Sequence, residues 1–327
     1  MSFILRRFAR EAALTACAVF SATLPAIGNA QDYPTRPITI VAPYPAGSAI
    51  DNLMRPLAVE LQAVLGQPVL IDNRPGAQGV LGTELGARAK PNGYTLLAGS
   101  STTLAASVGL FKKLGYDPLK DFQLVAGVGS VAQMFMVRSD YAARDLPSFV
   151  ALTRREASPL AAGVGGSSAQ VALALFSRAV GAPLTPVSYN GTPQAITDLI
   201  GGTIPMAVID IGNGVPHLRS GRLTALAISS ANRSVSAPNV PTLAESYLSI
   251  ELVTWIVLVA PAATPMPAVN KLYAAIARIV GTPEMKVRMA SMSTDVDLLG
   301  PAELGQRMRT DQAHWIEMIK AAGIQPE

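Results

Sequence analysis

Ile38-Thr39-Ile40-Val41-Ala42-Pro43-Tyr44-Pro45-Ala46-Gly47-Ser48-Ala49-Ile50-Asp51-Asn52-Leu53-Met54-Arg55 is the stretch from which the chain's architecture reads outward. Ile38–Val41 is a short β-branched apolar run, the signature of a buried strand. Two prolines and a glycine in Pro43–Ser48 cannot continue it, so a loop follows. From Asp51 to Leu61 apolar residues recur at helical spacing. Strand, glycine-bearing loop and helix together aim unpaired backbone N–H groups and the positive end of a helix at one point. Such a point binds phosphates or carboxylates. The alternative is an ordinary strand-to-helix turn, because junctions of this kind occur throughout α/β folds.

The chain has 327 residues, 50% hydrophobic and 15% charged, enough for two domains with cores of their own. Residues 1–30 read as a secretory leader: Arg6, Arg7 and Arg10 form a basic start, Ala12–Ile27 carries no charge, and Gly28-Asn29-Ala30 places small residues for cleavage after Ala30. Leu14-Thr15-Ala16-Cys17 is a lipoprotein-box alternative, weakened by Arg10 and Glu11 just ahead of it, and Arg6-Arg7 is a twin-arginine candidate. Three arginines and one glutamate leave with the leader, and the formal charge falls from +4 to +2, so nucleic acid is not implied. The single cysteine, Cys17, leaves too, so the mature chain has no disulfide, thiolate nucleophile or cysteine metal ligand. No later stretch is apolar for long enough to span a membrane. The expectation is an exported, soluble, periplasmic protein.

After the first strand and helix, Val69–Ile71 reads as a strand, the segment from about Val80 to Ala89 as a helix and Tyr94–Ala98 as a third strand. This β-α-β-α-β order predicts a parallel sheet with helices on both faces. The third strand runs into Gly99-Ser100-Ser101-Thr102-Thr103, a row of hydroxyls where open α/β sheets place ligands, although serine and threonine also favour helix caps. Two apolar strands follow at Leu124–Val128 and Met134–Val137. Leu160–Val164, Gly165-Gly166-Ser167-Ser168 and a helix over Ala169–Val180 repeat the opening junction. Later come Thr185–Tyr189 with Asn190-Gly191, and Met206–Asp210, a strand ending in an acid. Two α/β sets therefore meet near residue 130. The long strands near 124–137 and 251–261 are candidates for crossings between them. Two lobes joined by two strands leave a cleft, a favoured place for a ligand and a geometry that can close on it.

Catalysis finds little support. His217 and His314, the two histidines, sit in separate helical segments with no serine or carboxylate motif beside them, which argues against a zinc site or a Ser-His-Asp arrangement. No complete phosphate-binding glycine motif occurs. The expectation is no catalytic residue, no metal and no cofactor.

The ordered motifs resemble the Bug family, periplasmic solute receptors of tripartite tricarboxylate transporters. The likeness covers residues 33–327. It rests on Tyr33-Pro-Thr-Arg-Pro37, Pro43-Tyr-Pro-Ala-Gly47 with Asp51 and Arg55, Asp72-Asn-Arg-Pro-Gly-Ala77 with Gly79 and Gly82, and Pro91-Asn-Gly-Tyr-Thr-Leu96. It continues through Tyr116-Asp-Pro118, Tyr189-Asn-Gly191, Gly221-Arg-Leu-Thr-Ala-Leu-Ala227, Pro241-Thr-Leu-Ala-Glu245, Trp255 and Ala322-Gly-Ile324. The chain departs from the family where Ser48 replaces the second of a glycine pair, where Ala169-Gln170 replaces a His-Leu pair, and where Ser107-Val108 replaces an Asn-Pro.

The resemblance implies an α/β, two-lobed periplasmic binding fold of type II kind, with two mixed sheets flanked by helices and joined by a two-strand hinge. Lobe 1 is expected over 31–130 and 254–327, and lobe 2 over 131–253. By the same resemblance a ligand carboxylate is held by Tyr44, Ala46, Gly47 and Ser48. Ser100, Ser101 and Thr102 serve from the third-strand loop, and Gly165, Gly166, Ser167, Ser168, Tyr189, Asn190 and Asp210 from the second lobe. Tyr44 either packs on the ligand body or fills the loop core. Asp210 accepts from a ligand hydroxyl or amine, repels a second carboxylate, or caps a helix. Asp51 braces the first helix. The expected role is capture of a small organic acid by a monomer that touches a membrane transporter transiently. A sensor subunit presenting ligand to a signalling protein, and an exported enzyme on the same fold, are the alternatives.

Overall fold

Ile38–Ala42 forms strand β1, with four of its five residues buried, and the two prolines of Pro43–Pro45 end it. Helix α1 (Ala49–Leu65) starts where the Ser48 side chain accepts from the Asp51 N–H and stops at Gly66, whose φ of 69° is the left-handed conformation a helix end needs. The computed structural model describes residues 33–246, 248 and 250–326. The expected leader over residues 1–30, with Cys17 and the cleavage point, lies outside the described residues.

Strands β2 (Val69–Asn73) and β3 (Thr95–Ser100) lie parallel to β1 on either side of it, with α2 (Val80–Ala87) between them in sequence and the one-turn α3 (Ser107–Leu110) beyond. β4 (Phe122–Arg138) is one 17-residue strand where the sequence reads as two. The second set comprises α4 (Leu146–Thr153), β5 (Leu160–Val164), α5 (Ser167–Val180), β6 (Leu184–Ser188), α6 (Thr192–Gly201), β7 (Met206–Asp210), α7 (Ile211–Arg219) and β8 (Leu223–Ile228). β9 (Val253–Pro261), α8 (Met266–Val280), α9 (Pro283–Ser291), β10 (Asp295–Leu299) and α10 (Pro301–Ala322) close the chain.

The strands join in the order β2-β1-β3-β9-β4-β7-β5-β6, with β8 and β10 also on β4. β4 is the shared member. Through Ala132 it pairs with β9, and from Gln133 onward with β7 and β8. Ser229 knots this changeover. Its fully buried hydroxyl accepts from the Gln133 N–H at 2.8 Å and donates to the Leu252 carbonyl at 2.5 Å, tying β4 to the chain's second passage between the two parts of the sheet. β10 went unread because Asp295-Val-Asp-Leu-Leu299 mixes acids into a short run. It lies on β4 where Gly127 and Gly129 present no side chain, and a Cβ on either would meet a β10 carbonyl at 2.9 Å.

The larger core combines β3, β4, β5, β7 and β9 side chains with Phe149, Phe176, Trp255, Trp315 and Ile319, so the closing helix packs on the second set of elements as well as the first. A second cluster, including Met134, Met136, Leu199 and Ile209, seals α6 and α7 against the other side of β4 and β7. No helix among the described residues is long and apolar enough to cross a membrane.

Candidate functional site

Residues at or just after the carboxyl ends of β1, β3, β5, β6 and β7, the starts of α1, α5 and α6 among them, line a cleft enclosing about 540 Å³ of atom-free space, part of it open to solvent. Its walls are Tyr44 and Ser48–Ile50, Ser100 and Thr102, Gly165–Ala169, Gly191-Thr192 and Asp210, over a floor of Val131, Gln133, Thr254 and Ile256. Among the described residues Asp210 is the single carboxylic acid on the wall, and no lysine, arginine or histidine lines it.

The first junction is internally satisfied. The carboxylate of Asp51, 2% exposed, accepts from the Gly47 N–H, Arg55 Nε and Asn73 Nδ2, each at 2.9 Å. Burial raises its pKa. The hydrogen bonds from Arg55, Gly47 and Asn73, with the Arg55 charge, outweigh burial and hold it below the ordinary carboxylate range. Gly47 can take its φ of 81° because it has no side chain. This acid in the first turn of α1 already answers the helix dipole there.

From the third-strand loop the Thr102 hydroxyl meets Tyr44 OH at 2.6 Å and Ser100 Oγ at 2.5 Å, so three hydroxyls run in a chain along one wall. Burial pushes the Tyr44 phenol up against the opposing effect of these two partners, keeping it a neutral donor.

The second set of elements leaves two of its helix starts open. α5 follows Gly166 and α6 follows Gly191, neither with a side-chain cap nor an acid in its first turn. The first bond at the α5 end runs from Gln170 N–H to Gly166 O, which leaves the Ser167, Ser168 and Ala169 amides as the orphan donors of a helix start. The two starts touch because Gly165 is a glycine: a Cβ there would lie 2.5 Å from the Thr192 nitrogen.

Of the residues expected at the site, Tyr44, Ser48, Ser100, Thr102, Gly165, Gly166, Ser167, Ser168 and Asp210 line this cleft. Ala46 is exposed, and Gly47 points its N–H at Asp51. Ser101 is fully buried off the wall. Tyr189 turns its hydroxyl to Asp198 at 2.7 Å, where burial and that carboxylate raise its pKa to about 12, and Asn190 is exposed. Of these five, Gly47 and Tyr189 are held by bonds of their own, Ala46 and Asn190 face solvent, and Ser101 is buried behind the wall with its hydroxyl unpartnered. His217 and His314 lie away from the cleft.

Sequence reasoning missed the floor and the far rim. Gln133 and Thr254 carry a faint signal, each a polar residue inside an apolar strand run. Gln78 carries none. It stands in a left-handed conformation, φ 53°, and reaches over the cleft, accepting from Ser167 Oγ at 2.6 Å and donating to Gln170 Oε1 at 3.3 Å. Asn52 likewise donates to Asn213 Oδ1 at 3.4 Å.

The model of the "Tripartite tricarboxylate transporter family receptor" matches residues 53–324. The chain belongs to this family. Among solved structures it is similar to the periplasmic binding protein BugD, at 28% identity and a TM-score of 0.85 over 90% of this chain and 100% of that one. It is also similar to R. palustris Rpa4515 with adipate, at 27% identity and a TM-score of 0.88 over 90% of this chain and 100% of that one. MatC from Rhodopseudomonas palustris with bound malate matches at 31% identity and a TM-score of 0.83, over 88% of this chain and 100% of that one. The chain is thus a Bug-family solute receptor with the two-lobed periplasmic binding fold.

Proposed function

We propose that this receptor captures a small organic carboxylate in the cleft and delivers it, unaltered, to a tripartite tricarboxylate-type membrane transporter. The observation that carries this reading is the meeting of two uncapped helix starts, α5 and α6, beside a row of hydroxyls in a cleft without a lysine or arginine. Orphan amides and hydroxyls neutralise a carboxylate through charge-assisted bonds of about 1.5–3 kcal/mol each, with no cation required. The anion sits on the α5 and α6 starts, because Asp51 already occupies the start of α1. Malate in MatC and adipate in Rpa4515 support the ligand class.

In this reading the lobes are 31–130 with 254–327, and 131–253, turning about the Ala132–Gln133 step of β4 and the Leu252–Val253 passage. The protein acts as an exported, periplasmic monomer after cleavage at Ala30. Among the described residues no histidine lines the cleft to act as a base, and both oxygens of Asp210 accept from Asn213, the Oδ1 from the backbone N–H at 3.0 Å and the Oδ2 from the side chain at 3.1 Å, which supports binding without turnover.

Titration calorimetry of the mature protein against three- to eight-carbon mono-, di- and tricarboxylates tests the reading. Saturable binding to at least one, with the ligand recovered unchanged, is the expected result. Folded protein silent across the series refutes it.

A further inference from the structure

The cleft floor is more polar than a carboxylate site needs. Val131 and Gln133 are two apart on β4 and project to the same face. Val131 lies opposite Thr254 of β9, and Gln133 opposite Asp210 of β7. Residues directly opposite on neighbouring strands share a face at about 4.5–5.5 Å between Cβ atoms. The register therefore gathers Gln133, Thr254 and Asp210 at one place, and all three line the cleft.

Each has bonding capacity left over. Thr254 is 7% exposed and its Oγ1 has no partner. Gln133 is 4% exposed, and its side-chain amide is bonded to none of the described residues, while its backbone is held by Ser229. The carboxylate of Asp210, 6% exposed, uses one acceptor site on each oxygen to cap α7 through Asn213, out of about four available. Buried polar groups are normally satisfied, so the unpartnered Thr254 hydroxyl, beside an unbonded Gln133 amide and a carboxylate with acceptor sites to spare, marks the position of a ligand atom. The type of atom follows from charge. Asp210 only accepts, and no cation on the wall offsets it, so a second carboxylate is repelled there and a hydrogen-bond donor is drawn in.

We infer that the ligand is a carboxylate bearing a hydroxyl or ammonium donor, with its carboxylate on the α5 and α6 starts and its donor seated among Asp210, Thr254 and Gln133. This rests on the carboxylate-receptor reading above and narrows its ligand class. Asp210 and Thr254 act as specificity-determining residues for the substituent.

The test is calorimetry on matched pairs that differ only by the donor: lactate and propionate, malate and succinate, 2-hydroxyadipate and adipate, with aspartate as the ammonium counterpart of malate. In at least one pair the substituted acid binds about tenfold or more tighter, because a site built to bond a group rejects the analogue lacking it. Asp210→Asn, which keeps a helix-capping side chain, and Thr254→Val, which keeps the shape, each lower that ratio about fivefold or more. Thr254→Val does so with an unreduced Tm, since the lost hydroxyl had no partner. Parents that bind as tightly as their substituted forms, or a ratio that survives both variants, overturn the inference and leave the receptor reading standing. Silence across every pair brings down both. Aspartate against malate tells ammonium from hydroxyl.

Discussion

Asp51 shows how one side chain settles what its neighbours can do. By accepting from Gly47, Arg55 and Asn73 it fixes the loop that carries Tyr44 and takes up the start of α1, so the anion falls to the other helix starts. Replacing Asp51 by alanine takes the shared acceptor from three donors and lowers unfolding free energy by about 2–4 kcal/mol, measured by urea denaturation. Folding lowers the pKa of this group, so the unfolded chain binds the proton more tightly. Its contribution is complete above the unfolded value near about 4 and is lost as pH falls below it toward the folded value. Stability measured between pH 6 and 3 should fall less steeply in Asp51→Asn than in the parent. Tyr44→Phe breaks the hydroxyl chain at Thr102 and should cost about 1 kcal/mol of stability on the same measurement.

At the scale of elements, β4 does what neither α/β set does alone, changing partners in mid-strand and carrying the cleft floor on the residues beside the change. Ser229 holds that point by serving both passages between the parts of the sheet. Ser229→Ala leaves the Gln133 N–H and the Leu252 carbonyl buried without partners and should destabilise by about 1–3 kcal/mol, seen as a lower midpoint in urea. The contact between the α5 and α6 starts is as exacting. Gly165→Ala drives a methyl group into the Thr192 backbone, which cannot move aside as a side-chain tip could. The two starts must separate at a cost of about 1–3 kcal/mol, and carboxylate affinity should fall at least as steeply as stability.

For the whole molecule, Gln78 and Asn52 tie the first α/β set to the second, through Ser167 and Gln170 and through Asn213. A ligand that binds only the folded, closed form adds stability by mass action, about 2.7 kcal/mol at a hundred times its Kd. Scanning calorimetry should then show a rise in Tm of several degrees. Gln78→Ala removes both of its bridges while leaving the folded core untouched. Its expected effect is faster ligand release, about five- to tenfold in stopped-flow dissociation, with little change in the midpoint of urea unfolding. An unchanged release rate would mean the bridge plays no part in holding the lobes together.

Local chemistry was legible from the sequence. Prolines after Val41, serine at 48, glycines at 66, 165 and 166, and apolar runs of strand or helix period announce their elements because those preferences act within a few residues. The ordered motifs announce the family, and with it the fold. What a side chain does with its bonding capacity was not legible, because that depends on strands far apart in sequence. Gly47 looked like an open amide until Asp51 took its N–H and Asn52 its carbonyl. Tyr189 looked like a wall residue until it turned to Asp198. Gln133, Thr254 and Asp210 come from residues more than a hundred apart overall, and only the register of β9, β4 and β7 makes them neighbours. Sequence determined that a cleft would form between two α/β sets. Tertiary pairing decided which buried polar groups face it unsatisfied, because satisfaction is a property of partners and not of residue type.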